Sequence, residues 1–543
     1  MRVVPAAVLV TALTTLTGCV PFQLVRSGDA PADAQSASID LPRNPAQTPP
    51  PDEANAGPAP TAEDALTAAA LPPPPEDIWQ RLRAGYALPH SNHQRVEQSV
   101  RYFAGHPAYV QRVAQRAAPY LHYILEAVQS RGMPAEIALL PVVESAYRPF
   151  AYSPGRAAGL WQFVPGTARH FGLKQNWWYD GRRDVVASTK AALTYLDRLH
   201  GMFGDWLLAL AAYNAGEGTV QAAVRRNERR GEPTDFWHLD LPAETRGYVP
   251  RLLAVRDLFE RPDHYGVALP DVPDKPYLDV VDVGSQIDLA LAAKLADMSM
   301  QEIYQFNPGY NRWATAPNGP HRLILPLANA EHLRSGLEEL PKDKRIQWRR
   351  HRVSSGESLI SIAKKYRTTV SMLKDVNGMH GSMIRAGQHL IIPIASEPLS
   401  HYALSQGQRK AALRSRNRHG QKHIYRVRPG DSFWDIARRF DVSVAKLTKW
   451  NGMAPGDILR PGQKLVVWTR GGTVAAASYT GPANRKQSVH YTVRQGDSLY
   501  RIAQRFNVSV ESLRRWNDLT KGRYLQPGQR LHMEVDVTEQ AGI

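Results

Sequence analysis

Cysteine is almost absent from these 543 residues, and the single Cys19 excludes an intramolecular disulfide, a Cys-based zinc site and any framework of bridges. Long apolar runs are missing as well. The one candidate, Val3 to Leu16 behind Arg2, is short for a membrane-spanning helix and has the proportions of a cleaved secretory signal. The histidines, His90 and His93 among them, show no metal-ligand spacing, so neither a metal nor a cofactor is expected. Acid is scarce towards the C-terminus: residues 341–543 hold 36 Lys/Arg against 14 Asp/Glu, so that stretch carries +22 and the remainder −5 of the formal +17. A basic surface of that size is either a solvated face or the footprint of a polyanion such as nucleic acid, anionic lipid or carboxylate-bearing cell wall.

What is present begins with Leu16-Thr17-Gly18-Cys19, at the end of the apolar run. It resembles the lipobox of bacterial lipoproteins, which implies cleavage before Cys19 (signal at 1–19), acylation of its thiol and two or three acyl chains, enough for stable anchoring. By that family's sorting rule, the resemblance with Val20 in place of Asp implies the outer membrane of a Gram-negative cell. From Pro21 to Pro75 the chain is Pro, Ala and small polar residues and cannot bury enough apolar surface to fold. A disordered tether is expected over 20–85, with a reach on the order of 40 Å as a coil and roughly 150 Å as polyproline II.

Residues 86–265 read as a compact helical domain. Val110, Val113, Ala117, Tyr120, Ile124 and Val128 form one stripe at three and four spacings, ended by Gly132 and Pro134. Asp205 to Ala215 and Arg246 to Phe259 read as further helices, and no sustained alternating pattern competes with them.

After Arg350 the chain repeats itself. Gly356, Gly430 and Gly496 are each followed by an acid and a serine (Glu357-Ser358, Asp431-Ser432, Asp497-Ser498), then by Ile-Ala, and Asn377, Asn451 and Asn517 each lie 21 residues after their glycine. A second glycine (Gly387, Gly462, Gly528) precedes Gln and an apolar strand. The three copies, 351–394, 425–468 and 491–534, resemble the LysM domain. That is a βααβ module that binds the GlcNAc-X-GlcNAc pattern of peptidoglycan and chitin. The resemblance implies a sugar groove between the Gly-acid-Ser loop and the loop before the last strand: Gly430, Asp431 and Ser432 in the second copy, and Gly496, Asp497, Ser498, Leu499, Pro527 and Gly528 in the third. The first copy, one residue shorter and with Ala386 where the others have proline, departs most. A worn fourth copy at 279–327, aligned through Asn307, lacks the Gly-acid-Ser loop and is expected to be a structural LysM-like module packed on the catalytic domain.

The chemistry is concentrated in Leu139 to Phe163, LLPVVESAYRPFAYSPGRAAGLWQF. Glu144 follows five apolar residues, and a carboxyl against hydrophobic walls keeps its proton towards neutral pH, as a general acid for a glycosidic oxygen requires. Alone, it would be an ordinary helix-end acid. With Ser145, Ser153-Pro154, Gly159-Leu160-Trp161-Gln162 and Ala212-Tyr213-Asn214-Ala215-Gly216 in that order, it resembles the family 1 lytic transglycosylases, whose catalytic domain has the goose-type lysozyme fold. The resemblance covers most of 100–260. It implies Glu144 as acid and then base, Ser145 beside it, Ser153 near the N-acetyl group of the cleaved muramic acid, and Gln162 and Asn214 along the groove. It further implies Tyr213 orienting the glutamate and Tyr248 pointing into the site. Trp161 stands where many relatives have Met and is expected to alter a subsite wall.

Ordinary glycoside hydrolysis uses two carboxylates. Asp180, Asp184, Asp197, Asp205 and Glu217 fall outside the segments that the family pattern places in the groove. With one carboxylate, the muramic acid C6 hydroxyl becomes the nucleophile and a 1,6-anhydro end the product. The expected fold is therefore multidomain: an all-α, lysozyme-like (goose-type) catalytic domain followed by α+β LysM modules. The expected partners are peptidoglycan glycan strands and, through Cys19, a membrane. Nucleic acid is not expected, because Trp434, Trp450 and Trp516 fall at repeat positions that suit a core, and a monomer is. The rivals are a goose-type lysozyme-like hydrolase and a non-catalytic peptidoglycan-binding tether. A Cys-His peptidase is excluded by the lone Cys19.

Overall fold

The computed structural model describes residues 77–366, 368–469 and, within 486–536, all but 494–496, 500–501, 504–507, 509, 520–524 and 527. Cys19, residues 20–76 of the expected tether, Gly496 and Pro527 therefore lie outside the described residues. Among the described residues no helix is long and apolar enough to cross a membrane.

The helical unit starts earlier than the proline-rich composition suggests. Helix α1 (Ile78–Ala84), inside the stretch read as tether, is capped by the Asp77 side chain and buries Ile78, Trp79 and Leu82 in the main core. Three apolar residues at one helical face outweigh the neighbouring prolines, which end at Pro75 and so do not interrupt the helix. Helices α2 (Gln94–Ala104) and α3 (Pro107–Gln129) follow, and all six residues of the α3 stripe are buried. A 3₁₀ turn (Ala135–Leu139) leads into the short α4 (Leu140–Ser145). Then come α5 (Pro165–His170), α6 (Val185–Phe203), α7 (Trp206–Ala215), α8 (Glu217–Glu228) and α9 (Ala243–Glu260). Helix α9 packs against α2, α4 and α7, which places it behind the site.

Four two-stranded antiparallel sheets follow, each joining the first and last strand of one repeat. The worn copy pairs β1 (Leu278–Asp282) with β2 (Arg322–Pro326) around α10 (Leu289–Leu295) and α11 (Met300–Phe306), and α12 (Leu327–Glu338) extends it. It is docked on the helical unit. Asp180 N–H donates to the Gly309 carbonyl at 2.8 Å, Asn311 N–H to that of Trp178 at 2.7 Å, and Arg322 pairs with Asp184 at 3.0 Å. The first LysM copy pairs β3 (Gln347–Arg352) with β4 (His389–Ile394), and the second pairs β5 (Gln421–Arg426) with β6 (Lys464–Thr469). Between them lies α15 (Gln406–Ser415), after α13 (Leu359–Lys365) and α14 (Val370–Val376). The second copy contains α16 (Phe433–Arg439) and α17 (Val444–Asn451), and the third pairs β7 (Lys486–Thr492) with β8 (Arg530–Asp536).

The recurring asparagine has one task throughout. Asn451 Nδ2 donates to the carbonyls of Leu447 and Val466, and its Oδ1 accepts from Val466 N–H, all at 2.8 Å. Asn307, Asn377 and Asn517 make the same three bonds to their own helix and closing strand. An amide carries both donors and an acceptor in one plane, which is what sewing a helix end to a strand needs. Replacing Asn451 by Ala leaves buried groups unpaired and should cost the second LysM copy about 3 kcal/mol. Hydrogen exchange followed by mass spectrometry should then show protection lost across residues 421–469 and kept in the helical unit; unchanged protection would refute the clamp.

Candidate active site

Helix α4 delivers Glu144 to a cleft and then stops abruptly. Ala146 and Tyr147 both adopt left-handed backbone conformations, with φ of 52° and 54°, which cost on the order of 1–3 kcal/mol each for residues with a side chain. Burial holds them there. Tyr147 is fully enclosed and its hydroxyl donates to the Ala138 carbonyl at 2.6 Å. The reversal turns the chain away just past Glu144, so the carboxyl projects into a cavity of about 690 Å³ lined largely by aromatic and small residues.

In that cavity the Glu144 carboxyl accepts a 2.5 Å hydrogen bond from the Tyr248 hydroxyl on α9. Loss of water pushes its pKa up, the Tyr248 bond and the Arg251 charge pull it back, and it settles at about 7. Desolvation wins because one hydrogen bond replaces a full hydration shell. Near neutrality the group is thus divided between acid and base forms.

The other expected residues are brought to the same cleft: Ser145, Ser153, Gln162, Tyr213, Asn214 and Tyr248 all line it. Their hydrogen bonds differ from expectation at several points. Tyr213 does not bond to the glutamate; its hydroxyl donates to the Trp161 carbonyl at 2.9 Å, and Tyr248 is the orienting tyrosine. The Ser145 hydroxyl donates back to Pro141 within its own helix. Trp161 is no subsite wall: it is fully buried and its indole N–H donates to Thr189. The Ser153 hydroxyl accepts from Ala157 N–H at 3.0 Å, leaving its proton to donate, and Asn214 Oδ1 accepts from Thr245, leaving its amide protons. Gln162, itself at φ 47°, donates to the Gly159 carbonyl. Gly159 has a left-handed φ of 83°, and a Cβ there would lie 1.9 Å from the Arg182 carbonyl oxygen, so only glycine allows the Gly159–Gln162 turn to pack.

The set of excluded acids was incomplete. Asp180 is buried against Arg182 and Arg183, Asp184 and Asp205 cap helices, and Glu217 pairs with Arg198. Glu244, however, lines the cleft together with Arg251, and burial raises its pKa. Both could have been found, since they stand at −4 and +3 from Tyr248 and so share its face of one helix. Among the described residues, His90, Asp257 and Glu260 have ligand atoms within 4.8 Å of one another, but the Arg256 guanidinium already donates to His90 and Asp257 there.

The LysM loops reveal a division of labour. Ser432 caps α16 in a reciprocal capping box with Asp435, Asp431 accepts from Tyr425 and from Arg428 N–H, and Asp497 accepts from Tyr491. Gly430, Gly462 and Gly528 have φ of 83°, 82° and 88° and turn the two loops. The polar groups of this motif are therefore used inside the module. Leu499 is half-buried against the third copy's core. Beside these loops, among exposed polar residues such as Arg385 and Arg428, large apolar side chains also face solvent: Ile360 and Met383 in the first copy, Trp434 and Ile458 in the second, 56–82% exposed, so Trp434 is not in the core that its repeat position suggested. In the worn copy Asp288 takes the place of the capping serine. It is buried under Tyr402, whose hydroxyl donates to it at 2.9 Å, with Ser396 N–H also at 2.9 Å. The chain after the first LysM copy thus covers that position.

Comparison with known proteins agrees with this architecture. Residues 123–236 match the Transglycosylase SLT domain, 277–342 the LysM-like domain of lytic transglycosylase MltD, and 351–393, 425–468 and 491–533 the LysM domain. The chain is 35% identical over 463 residues to the membrane-bound lytic murein transglycosylase D of Escherichia coli K12, covering 85% of this chain and 86% of that protein. A putative tributyltin chloride resistance protein of Alteromonas is 46% identical over 122 residues, 22% of this chain and 59% of that protein. Among solved structures, an inactive mutant of the lytic transglycosylase Slt from Pseudomonas aeruginosa aligns over 27% of this chain and 24% of its own, at 26% identity and TM-score 0.21. The fold and site define a LysM-bearing lytic transglycosylase. Within that class the chain belongs to the membrane-bound lytic murein transglycosylase D family.

Because folded Glu144 keeps its proton up to about 7 and a solvated carboxyl loses it near 4.5, the folded state binds more protons between those values. Stability conferred at this position therefore falls as pH rises through that window and levels off above it. Glu144→Gln removes the titration. Urea midpoints of the wild type and the variant should separate between these two pH values, the variant becoming the more stable; parallel midpoints would mean a solvated carboxyl.

Proposed function

We propose that Glu144 alone carries proton transfer in a non-hydrolytic cleavage of the β-1,4 bond between MurNAc and GlcNAc. The observation that carries this reading is a carboxyl with pKa about 7, desolvated, bonded to Tyr248 and facing a glycan-sized cleft. Protonated Glu144 donates to the GlcNAc O4 as the bond from MurNAc C1 breaks. The resulting carboxylate then takes the proton of the MurNAc C6 hydroxyl as O6 bonds to C1, which leaves a 1,6-anhydroMurNAc end and returns the proton to Glu144. No water is consumed. Holding the C6 hydroxyl next to C1 supplies the advantage of an intramolecular nucleophile. Ser153 and Asn214 donate to the sugar's N-acetyl and hydroxyl groups, and Tyr248 keeps Glu144 aimed at the bond.

Glu244 gives a hydrolase its one foothold, as a second acid in the same cleft. Burial raises its pKa against the opposing pull of the Arg251 charge, and its place among the lining residues favours a part in substrate binding. Mass spectrometry of digested sacculi separates the readings. We expect anhydro muropeptides from the wild type, and from Glu144→Gln no clearing with sacculus binding retained; reducing muropeptides one water heavier would establish hydrolysis.

The LysM copies bind the glycan through the two loops and their exposed apolar neighbours, and a monomer suffices for this. The Leu16–Cys19 pattern supports a lipoprotein of the Gram-negative outer membrane facing the periplasm. Cys19→Ala should release the protein from the membrane fraction to the soluble one; retention of the variant in membranes would point to a different anchor.

A further inference from the structure

The second LysM copy touches the rim of the catalytic cleft at a residue that the LysM fold does not require. In the loop between α17 and β6, the Asp457 carboxylate accepts from the Tyr152 hydroxyl at 2.9 Å and pairs with Arg156 at 3.3 Å. Tyr152 lines the cleft, next to Ser153. Gly456 lies under the Arg156 side chain, and an added Cβ there would stand 3.5 Å from it. Asp457 also accepts from Ala454 N–H, so one carboxylate shapes its own loop and meets the catalytic unit.

Three further observations bear on the contact. Counting back from the second glycine of each repeat, Ser382 and Arg523 occupy this position in the other two copies, so the acid is peculiar to the second copy. A second attachment runs through α15: Arg409 stacks over the Phe150 ring at 4.3 Å, and Leu413 lies against Gly452 at the end of α17. The residue after Asp457 is Ile458, 82% exposed, and Trp434 of the same copy is 56% exposed.

We propose that the second LysM copy and the catalytic cleft form one composite glycan path, joined at Tyr152, Arg156 and Asp457. A strand long enough to leave the cleft past Tyr152 then meets the Trp434 and Ile458 edge of the docked module. The substrate class this selects is the long glycan strand over the short oligomer. The inference rests on the reading of the Glu144 cleft as the catalytic site and of the LysM loops as glycan-binding.

Docking makes the second contact intramolecular, so its loss appears in KM for substrates that reach both surfaces and not for those that fill the cleft alone. The test uses the full chain with Asp457→Arg, Arg156→Glu and the exchange Arg156→Asp with Asp457→Arg, on short glycan oligomers and on long strands. Each single variant should raise KM for long strands about tenfold with kcat kept, and leave KM for short oligomers within about twofold, the difference reflecting lost effective concentration. The charge exchange should recover most of the loss. An unchanged long-strand KM, or an equal loss on short and long substrates, would overturn the proposal. Glu144→Gln runs beside them: turnover by that variant would sink the catalytic reading, whereas a dead Glu144→Gln with unaffected Asp457→Arg would sink the composite path alone.

Discussion

A carboxyl deprived of water but given one strong hydrogen bond is the constraint around which this catalytic unit is built. For the proposed role as acid and then base, full hydration would leave Glu144 titrating near 4.5 with no proton to give, and burial without a partner would hold its proton too tightly to return. Tyr248 sets the compromise, and Tyr248 is held by α9, which packs across α2, α4 and α7. The two left-handed residues after α4 are part of the same device. A helix that continued past Ser145 would carry the backbone across the cleft, and the strain at Ala146 and Tyr147 is borne by a fully buried ring and its hydrogen bond to Ala138.

Much of this was legible in the residues, and the failures have physical reasons. The α3 stripe and the order of motif pieces around Glu144 identified the helical core and the cleft, because periodicity and local spacing survive folding unchanged. Which tyrosine bonds to Glu144 was not legible. Tyr213 and Tyr248 come from different helices, and a choice between two hydroxyls within reach is made by packing, here by the Trp161 carbonyl that takes Tyr213. Trp161 misled for a related reason: its neighbours line the cleft while the left-handed turn at Gln162 points its own ring inward. Glu244 was overlooked although helical spacing from Tyr248 would have found it. Helix α1 was hidden by composition, since a seven-residue helix beside four prolines carries little weight in any average.

The repeats teach a different lesson about what recurrence means. The positions at which the LysM copies agree best are those that build the module: the asparagine sewing helix to strand, the glycines in left-handed turns and the serine cap. The exposed positions beside the loops differ from copy to copy, Ile360 against Trp434 and Met383 against Ile458. Agreement between copies therefore identified the fold, and the glycan-facing surface has to be sought where the copies diverge. The worn copy carries this further. With Asp288 buried beneath Tyr402, the place where its sisters turn a loop to solvent is closed by the chain itself, and the module becomes a joint between the helical unit and the LysM array.

The same packing changes the meaning of the basic C-terminal third. A charge tally treats every Lys and Arg there as available to a polyanion, yet several of them are structural. Arg409 lies over Phe150 and bonds to the Leu404 carbonyl, and burial lowers its pKa to about 9; burial also depresses Lys410 and Arg414 on the same helix. A guanidinium that gives up hydration to stack on an aromatic ring contributes area and orientation more than long-range field. Helix α15 thus lays Arg409 on the catalytic unit while Leu413 and the Lys410 stem meet the second LysM copy at Gly452. The positive surface left to meet a polyanion is therefore smaller than +22 implies.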